Sequence, residues 1–435
     1  METRVQPDGK AKHPVVAQAA SAIGRMLGSH AFFCAEAAAI LAIGILLALW
    51  LRPEPHSDWA YYWAAAGDVT RYERGGIGLW LLAIPKALGW SPIASALLLN
   101  SLAAAALLWF ARSLDPTATR WFGLLVALYL LLIAPFMGIV QLDMLAAALL
   151  AAGLWLLALP PSSRTTKATF VVATGLIAAG VSTKPQYALT LWAMLGLLSV
   201  AWLLLKRRAH PLLPILFSAL LIGSIGGFAI DSGLRALSGR SEAIRTNSAV
   251  TLYAGLLTSG AGIRCGYWSV EAAEAAKADL DKPLHRAVLD RLAEKPSGNW
   301  ASIMACKLPQ IVLPPSYALN WLVESPNIRA RFASSSRKTE IAADLYRALY
   351  WERRAYAGIT LAILLASVFT CIAAWRRDHR SLALLPVLWI ASFWAVHLVF
   401  EIQGRYFLGM FVLAPFFCAI TRRFSHSADR AFAVR

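Results

Sequence analysis

Phe32–Leu51 reads FFCAEAAAILAIGILLALWL and runs straight into Arg52–Trp63, RPEPHSDWAYYW. As a helix, the first stretch is long enough to cross the roughly 30 Å of a bilayer's hydrocarbon core. The second places an acid, Asp58, among aromatic residues just beyond the end of that helix. An apolar run followed at once by a polar, aromatic cluster recurs along the chain, and it decides the fold class.

Of the 435 residues, 58% are hydrophobic and 15% are charged, and mean hydropathy is +0.57. A soluble domain carries about 25% charged residues. Apolar runs occur at 32–51, 93–111, 121–137, 139–159, 168–183, 187–205, 212–230, 355–375, 382–400 and 406–421. The runs are continuous rather than alternating, which excludes a β-barrel. The expected fold is all-α: a polytopic helical membrane protein of about ten spans with a mostly helical cap on the non-cytoplasmic side.

The net charge of +17 invites a nucleic-acid reading, but its distribution argues against one. Basic residues fill alternate short connections: Arg112 and Arg120, Arg164 and Lys167, Lys206 to Arg208, then Arg376, Arg377 and Arg380, with Arg422 and Arg423 after the last run. Lys and Arg accumulate in cytoplasmic loops, so both termini are expected inside. Residues 1–31 form a basic cytoplasmic tail, too long for the n-region of a cleaved signal, and 32–51 is a retained span. The membrane domain then covers 32–421, with outer loops 52–92 and 231–354 and a cytoplasmic tail at 422–435. The expected location is the inner (plasma) membrane.

Within the first outer loop, Ile77–Ala87 is too short to span and suits an interfacial or re-entrant helix. In the second, Pro283 opens a helix with Leu284, Val288 and Leu292 on one face. Residues 303–323 are apolar but broken by Lys307, Pro309, Pro314 and Pro315, and read as a helix resting at or dipping into the surface, with a pair of further spans as the alternative. Cys265 and Cys306 share this loop and can pair if its compartment is oxidising.

Four polar clusters fall on the predicted outer side. Asp58 is a candidate catalytic base, because burial among aromatics raises a carboxyl toward neutral pH; its alternative role is to cap a helix starting at Trp59. Asp143 sits where two runs meet with almost no loop. An acid one turn inside an apolar helix is costly, by about 2.5–3.5 kcal/mol at mid-span, although a helix N-terminus would favour it. Lys184, in Ser182-Thr183-Lys184-Pro185, is a pure donor suited to a phosphate oxygen or a snorkelling lysine. Glu401-Ile402-Gln403-Gly404-Arg405-Tyr406 offers a guanidinium fork for a phosphodiester, with Glu401 placed to orient Arg405 or simply to pair with it. Arg74 and Lys86 extend the positive charge of the first loop. No Walker loop, dinucleotide-binding glycine fingerprint, His-Glu-x-x-His or Gly-x-Ser-x-Gly occurs.

An acid after the first span, a loop ending in Pro85-Lys86-x-x-Gly89, an acid opening the fourth span and the late Glu401-x-x-x-Arg405-Tyr406 together resemble the GT-C superfamily of integral-membrane glycosyltransferases. The likeness is greatest to the bacterial branch related to protein O-mannosyltransferases and the lipid A aminoarabinose transferase. It implies transfer of a sugar from a polyprenyl-phosphate donor to a glycan, glycolipid or protein acceptor outside the cytoplasm. It also implies a catalytic role for Asp58 and site roles for Asp143, Arg405 and Tyr406. Asp143 itself could hold a divalent metal ion, orient the acceptor or fix a basic partner, and the sequence leaves these three open. Many relatives carry His-Pro-Pro in the first loop; this chain reads Arg74-Gly75-Gly76. The competing expectation is a transporter or flippase of a lipid-linked or anionic solute. Against it, the charges gather at one face and no inverted repeat is visible.

Overall fold

The computed structural model describes residues 26, 29–115, 120–159, 166–205, 212–256, 265–294, 297–334, 338–376 and 380–433. Most of the expected basic tail, Arg164, Lys206 to Arg208 and Arg377 lie outside the described residues. Among the described residues the chain is helical, with no β-strand. Six helices are long and apolar enough to cross a membrane: His30–Leu51, Pro92–Leu114, Gln186–Leu204, Leu212–Ser238, Ala343–Arg376 and Gly404–Phe424.

Helix α1 (His30–Leu51) begins at Ser29, whose side chain accepts a bond from the Phe32 N–H and so satisfies one orphan donor of the first turn. Three short outer elements follow: α2 (Ser57–Ala65), a 3₁₀ turn (Val69–Arg71) and α3 (Gly76–Ala87). Leu79 and Leu82 of α3 are buried while Trp80 and Ile84 are exposed. An apolar outer face of this kind is what an interfacial helix presents to lipid.

Next come α4 (Pro92–Leu114), α5 (Trp121–Leu132), α6 (Asp143–Ala158), α7 (Thr166–Thr183), α8 (Gln186–Leu205) and α9 (Leu212–Ser238). The expected runs 121–137 and 139–159 differ from what is observed. Helix α5 ends at Leu132, residues 134–138 form a 3₁₀ turn, and α6 starts only at Asp143. Pro135 and the close seating of this turn on α1 explain the break. A Cβ on Gly138 would fall 2.7 Å from that of Ala48, and the freed carbonyls of Met137 and Ile139 accept bonds from the Asn100 amide. Asp143 therefore occupies the first turn of α6 rather than its interior.

The second outer segment holds α10 (Ser241–Leu256), α11 (Val270–Ala278), α12 (Leu284–Ala293), α13 (Ser297–Val312), α14 (Ala318–Val323) and α15 (Pro326–Ser334). Leu284, Val288 and Leu292 pack together on Val250, Tyr253 and Ala254, as their spacing predicts. Residues 303–323 divide into α13 and α14 around Pro314 and Pro315. A disulfide joins Cys265 to Cys306. Asn327 Nδ2 and Arg331 Nη2 donate to the carbonyls of Arg52 and Leu51, closing the C-terminus of α1 with side chains from the second outer segment.

Helix α16 (Lys338–Arg376) is one continuous element, so the last part of the expected loop, 338–354, extends the span rather than leading to it. After α17 (Arg380–Ala383) and α18 (Leu385–Val399), a loop and a 3₁₀ turn (Gly404–Phe407) lead to α19 (Leu408–Ala433). The helix thus continues past the expected end at Thr421. From Leu408 to Thr421 it is buried at every position, forming the centre of the core.

Candidate functional site

Asp58 lies in the first turn of α2 but does not cap it; His56 holds the N-cap position without a side-chain bond. The Asp58 carboxylate is instead bracketed by two guanidinium groups. Arg74 Nη2 approaches Oδ1 at 2.5 Å, and Arg405 Nη2 donates to Oδ2. Burial pushes the carboxyl up, but Arg405 and then Arg74 outweigh it and hold Asp58 well below the usual carboxylate range. The expected raised value is overturned, because a cation 347 residues away in the chain decides it.

Arg74 is aimed by its own loop. The Tyr61 hydroxyl accepts from the backbone N–H groups of Glu73 and Arg74 and donates to the Arg74 carbonyl, while the guanidinium lies 4.9 Å from the Tyr61 ring centre. The two glycines that follow have φ of +111° and +40°. A Cβ on Gly76 would stand 2.2 Å from the Ser182 carbonyl oxygen, so only glycine lets this loop rest on the end of α7. There the N–H of Gly78 donates to Thr183 Oγ1 and that of Ile77 to Ser182 Oγ, satisfying the first turn of α3. The Gly-Gly pair thus docks the first outer loop against the turn that carries Lys184.

Lys184 Nζ lies 2.8 Å from Asp143 Oδ1 and 5.2 Å from the centre of the Tyr406 ring. Burial lowers the lysine, with Asp143 opposing. Asp143 is 1% exposed, and its place at the start of α6 also puts it at the favourable end of the helix dipole. Arg405 uses its whole fork: Nε donates to Gln403 Oε1 at 2.8 Å and Nη1 to Gln141 Oε1 at 2.7 Å, with Trp321 stacked at 4.6 Å. Glu401 does not pair with Arg405 directly. Gln403 stands between them, donating to Glu401 Oε1 while accepting from Arg405.

Asp58, Arg74, Lys184, Glu401, Arg405 and Tyr406 line one cavity of about 610 Å³, within the range of small-molecule sites. Asp143 stands behind Lys184 as its counter-ion. No protein-family model, curated protein or solved structure matches this chain. The site is therefore interpreted from its own chemistry. Arg74 and Arg405 share the Asp58 carboxylate, and Lys184 pairs with Asp143. Burial raises Glu401 to about 7, so much of it is uncharged at neutral pH. Arg74, Lys184 and Arg405 thus converge on one side of a cavity whose lining also includes Glu73, Glu324, Arg235 and Lys277, and three cations sharing two carboxylate partners favour an anionic ligand.

Lys86 is not part of this cavity. Its ammonium donates to the carbonyls of Trp63, Ala64 and Ala66, closing the C-terminus of α2 rather than joining the groups around Asp58. Asp58 and Asp143 each already face a cation, and no group of three His, Cys, Asp or Glu side chains that could hold a metal occurs among the described residues. Gln141, Gln403 and Trp321, which complete the Arg405 cradle, were absent from the expected set. Gln141 and Gln403 each lie two residues before a chosen residue, in the same quoted motifs, but a neutral amide in a polar turn gives no signal of its own.

Proposed function

We propose that this protein is an integral-membrane glycosyltransferase of the GT-C type, moving a sugar from a polyprenyl-phosphate carrier to a hydroxyl acceptor on the non-cytoplasmic face. The observation that carries the reading is the cavity on which Arg74, Lys184 and Arg405 converge while sharing two carboxylate partners. A sugar phosphodiester bears one negative charge, and its isoprenoid tail needs an apolar surface. The six long helices and the shorter apolar helices 121–132, 143–158, 167–183 and 385–399 would supply that surface in ten crossings.

Orientation follows the same logic. Glu36 and Arg112 pair at 2.5 Å near the start of α1 and the end of α4, whereas Asp58 follows the other end of α1. Basic connections favour the cytoplasm, which supports an outward-facing cavity in this reading. The Cys265–Cys306 disulfide beside it suits an oxidising compartment.

In the reaction, the departing phosphate gains negative charge that Arg74, Lys184 and Arg405 stabilise more in the transition state than in the ground state. Asp58, held ionised between two guanidinium groups, is a poor proton acceptor. Its role in this reading is to orient Arg74 and Arg405.

The test uses purified protein in nanodiscs with labelled undecaprenyl-phosphate sugars and a membrane glycolipid extract. Label transfer that is lost in Asp58→Asn at normal expression supports the enzyme. Movement of the carrier across the bilayer without transfer would replace the enzyme reading with a transporter.

A further inference from the structure

Beside the site cavity lies a second one, of about 480 Å³. The two share Trp268, Trp321, Glu324, Glu401 and Gln403 in their linings. The loop after α18 thus forms part of a wall with a chamber on either side, and Glu401 is the acid of that wall next to the Arg405 cradle. We propose that Glu401 is the group that takes the acceptor's proton, and that a carbohydrate acceptor reaches it through this second cavity. This inference rests on the glycosyltransferase reading above and adds to it the proton acceptor and the acceptor's class.

The carboxyl is presented for this task. Its Oε1 accepts from both the Trp268 backbone N–H, at 3.2 Å, and the Gln403 amide. Oε2 is left without a protein partner among the described residues. Two bonds to one oxygen fix the group's orientation while the other oxygen remains open to a ligand. The main chain around it is held as well: the Ile402 N–H donates to the Gly266 carbonyl at 2.6 Å, and His397 Nδ1 meets the Glu401 carbonyl oxygen at 2.8 Å.

The second chamber differs from the first in chemistry. Tyr267, Tyr317 and Trp321 supply aromatic faces, while Asn320, Gln310 and Arg353 supply hydrogen-bonding groups. Rings beside neutral amides and few charges match a polyhydroxylated ligand, which offers C–H faces and hydroxyl edges. The first chamber, where Arg74, Lys184 and Arg405 converge, matches the phosphodiester.

The step balances simply. The acceptor oxygen forms a bond to the anomeric carbon, and its proton passes to Glu401 Oε2. The bond from that carbon to the phosphate oxygen breaks with its electron pair, and the polyprenyl phosphate departs against Arg74, Lys184 and Arg405. Glu401 then releases the proton to water.

Glu401 is also better tuned than Asp58 for this work. Burial raises its carboxyl to about 7, although Gln403 and Arg405 pull the other way. A base is most useful when its pKa lies near the working pH. The charged or titratable groups around it include Arg405 and Tyr406 of the 3₁₀ turn, Asp58 of α2, Lys277 of α11, Glu324 beside α14, Arg353 of α16 and His397 of α18.

The test compares wild type with Glu401→Gln, using labelled undecaprenyl-phosphate sugars, the glycolipid extract and a pH series from 5 to 9. Glu401→Gln is expected to lower transfer by about 10²–10⁴, to lose the rise in rate through neutral pH, and to bind the donor within about twofold, as read by tryptophan quenching. Ala357→Trp, which narrows the second cavity, is expected to raise the KM for acceptor without weakening donor binding. Glu401→Gln that transfers within threefold of wild type, or keeps the wild-type pH profile, overturns the inference while leaving the enzyme reading intact. Wild type that binds donor but transfers nothing at any pH overturns both.

Discussion

Removing Lys184 while leaving Asp143 in place should be among the most destabilising single changes in the protein. Lys184 Nζ stands 2.8 Å from Asp143 Oδ1, and the two side chains are 9% and 1% exposed. The other carboxylate oxygen, Oδ2, has no hydrogen-bond partner among the described residues. Lys184→Met, which keeps the length of the side chain, therefore strands a buried charge, and such changes cost about 3–5 kcal/mol. Asp143→Asn in the same chain removes that charge and should recover most of the loss, so the double variant should be more stable than Lys184→Met alone. The coupling energy from the four-member cycle is expected to be at least about 2 kcal/mol in favour of the pair. Equilibrium unfolding in mixed micelles, followed by tryptophan fluorescence, measures all four proteins. Transfer activity separates stability from function: the double variant should fold yet remain inactive, because Lys184 also faces the cavity. Lys184→Met as stable as wild type, or additive single changes, would refute the reasoning and show that water reaches Asp143.

Further outcomes follow from other contacts. Cys265→Ser, or reduction of the disulfide, opens a closure spanning 41 positions and should cost about 4 kcal/mol by the chain-entropy relation; melting with and without reductant checks this. Gly76→Ala should abolish accumulation of folded protein, since its Cβ would fall 2.2 Å from the Ser182 carbonyl oxygen at a φ of +40°, whereas Gly89→Ala, with no atom nearby, should still fold. Lys86→Met should lower stability by about 1–3 kcal/mol by freeing the carbonyls at the end of α2, with donor affinity unchanged in a binding titration. The raised Glu401 carboxyl gives a pH signature: between its unfolded value of 4.5 and its folded value of about 7 the folded state keeps a proton that the unfolded chain releases. Stability should therefore fall by roughly 3 kcal/mol as pH rises through that window. Glu401→Gln should remove this slope, and an unchanged slope in the variant would contradict the assignment.

The apolar helices were legible because hydropathy reports directly on which segments leave water, and every expected run has a helix within it. What hydropathy does not contain is how polar groups find one another. The break at 133–142 depends on Pro135, but also on Asn100 from a different helix receiving the freed carbonyls. The role of Lys86 depends on the end of α2 lying within its reach. Asp58 shows the limit most clearly, since burial acted in the expected direction and two arginines then reversed the sign. Glu401 was visible as an acid near Arg405, yet its isolation from that arginine comes from Gln403, whose amide occupies the space between them. Local sequence can nominate charged residues, but their protonation and pairing are properties of the folded arrangement.

That arrangement gives the outer segment a part beyond covering the site. Lys307 of α13 donates to the carbonyls of Gly255, Leu398 and Phe400, so a single buried ammonium ties α10 to the end of α18. The adjacent Cys306 is bonded to Cys265, and Gly266 and Trp268 of that strand of chain in turn hold Ile402 and Glu401. The last turn of α18 and the loop carrying Glu401, Gln403 and Arg405 are therefore positioned from outside the helical bundle as much as from within it. Side chains fixed in this way keep their geometry when a ligand arrives and pay little to reorganise. The outer segment is thus a wall of the site, and its disulfide and buried lysine are the contacts through which that wall acts on the reacting groups.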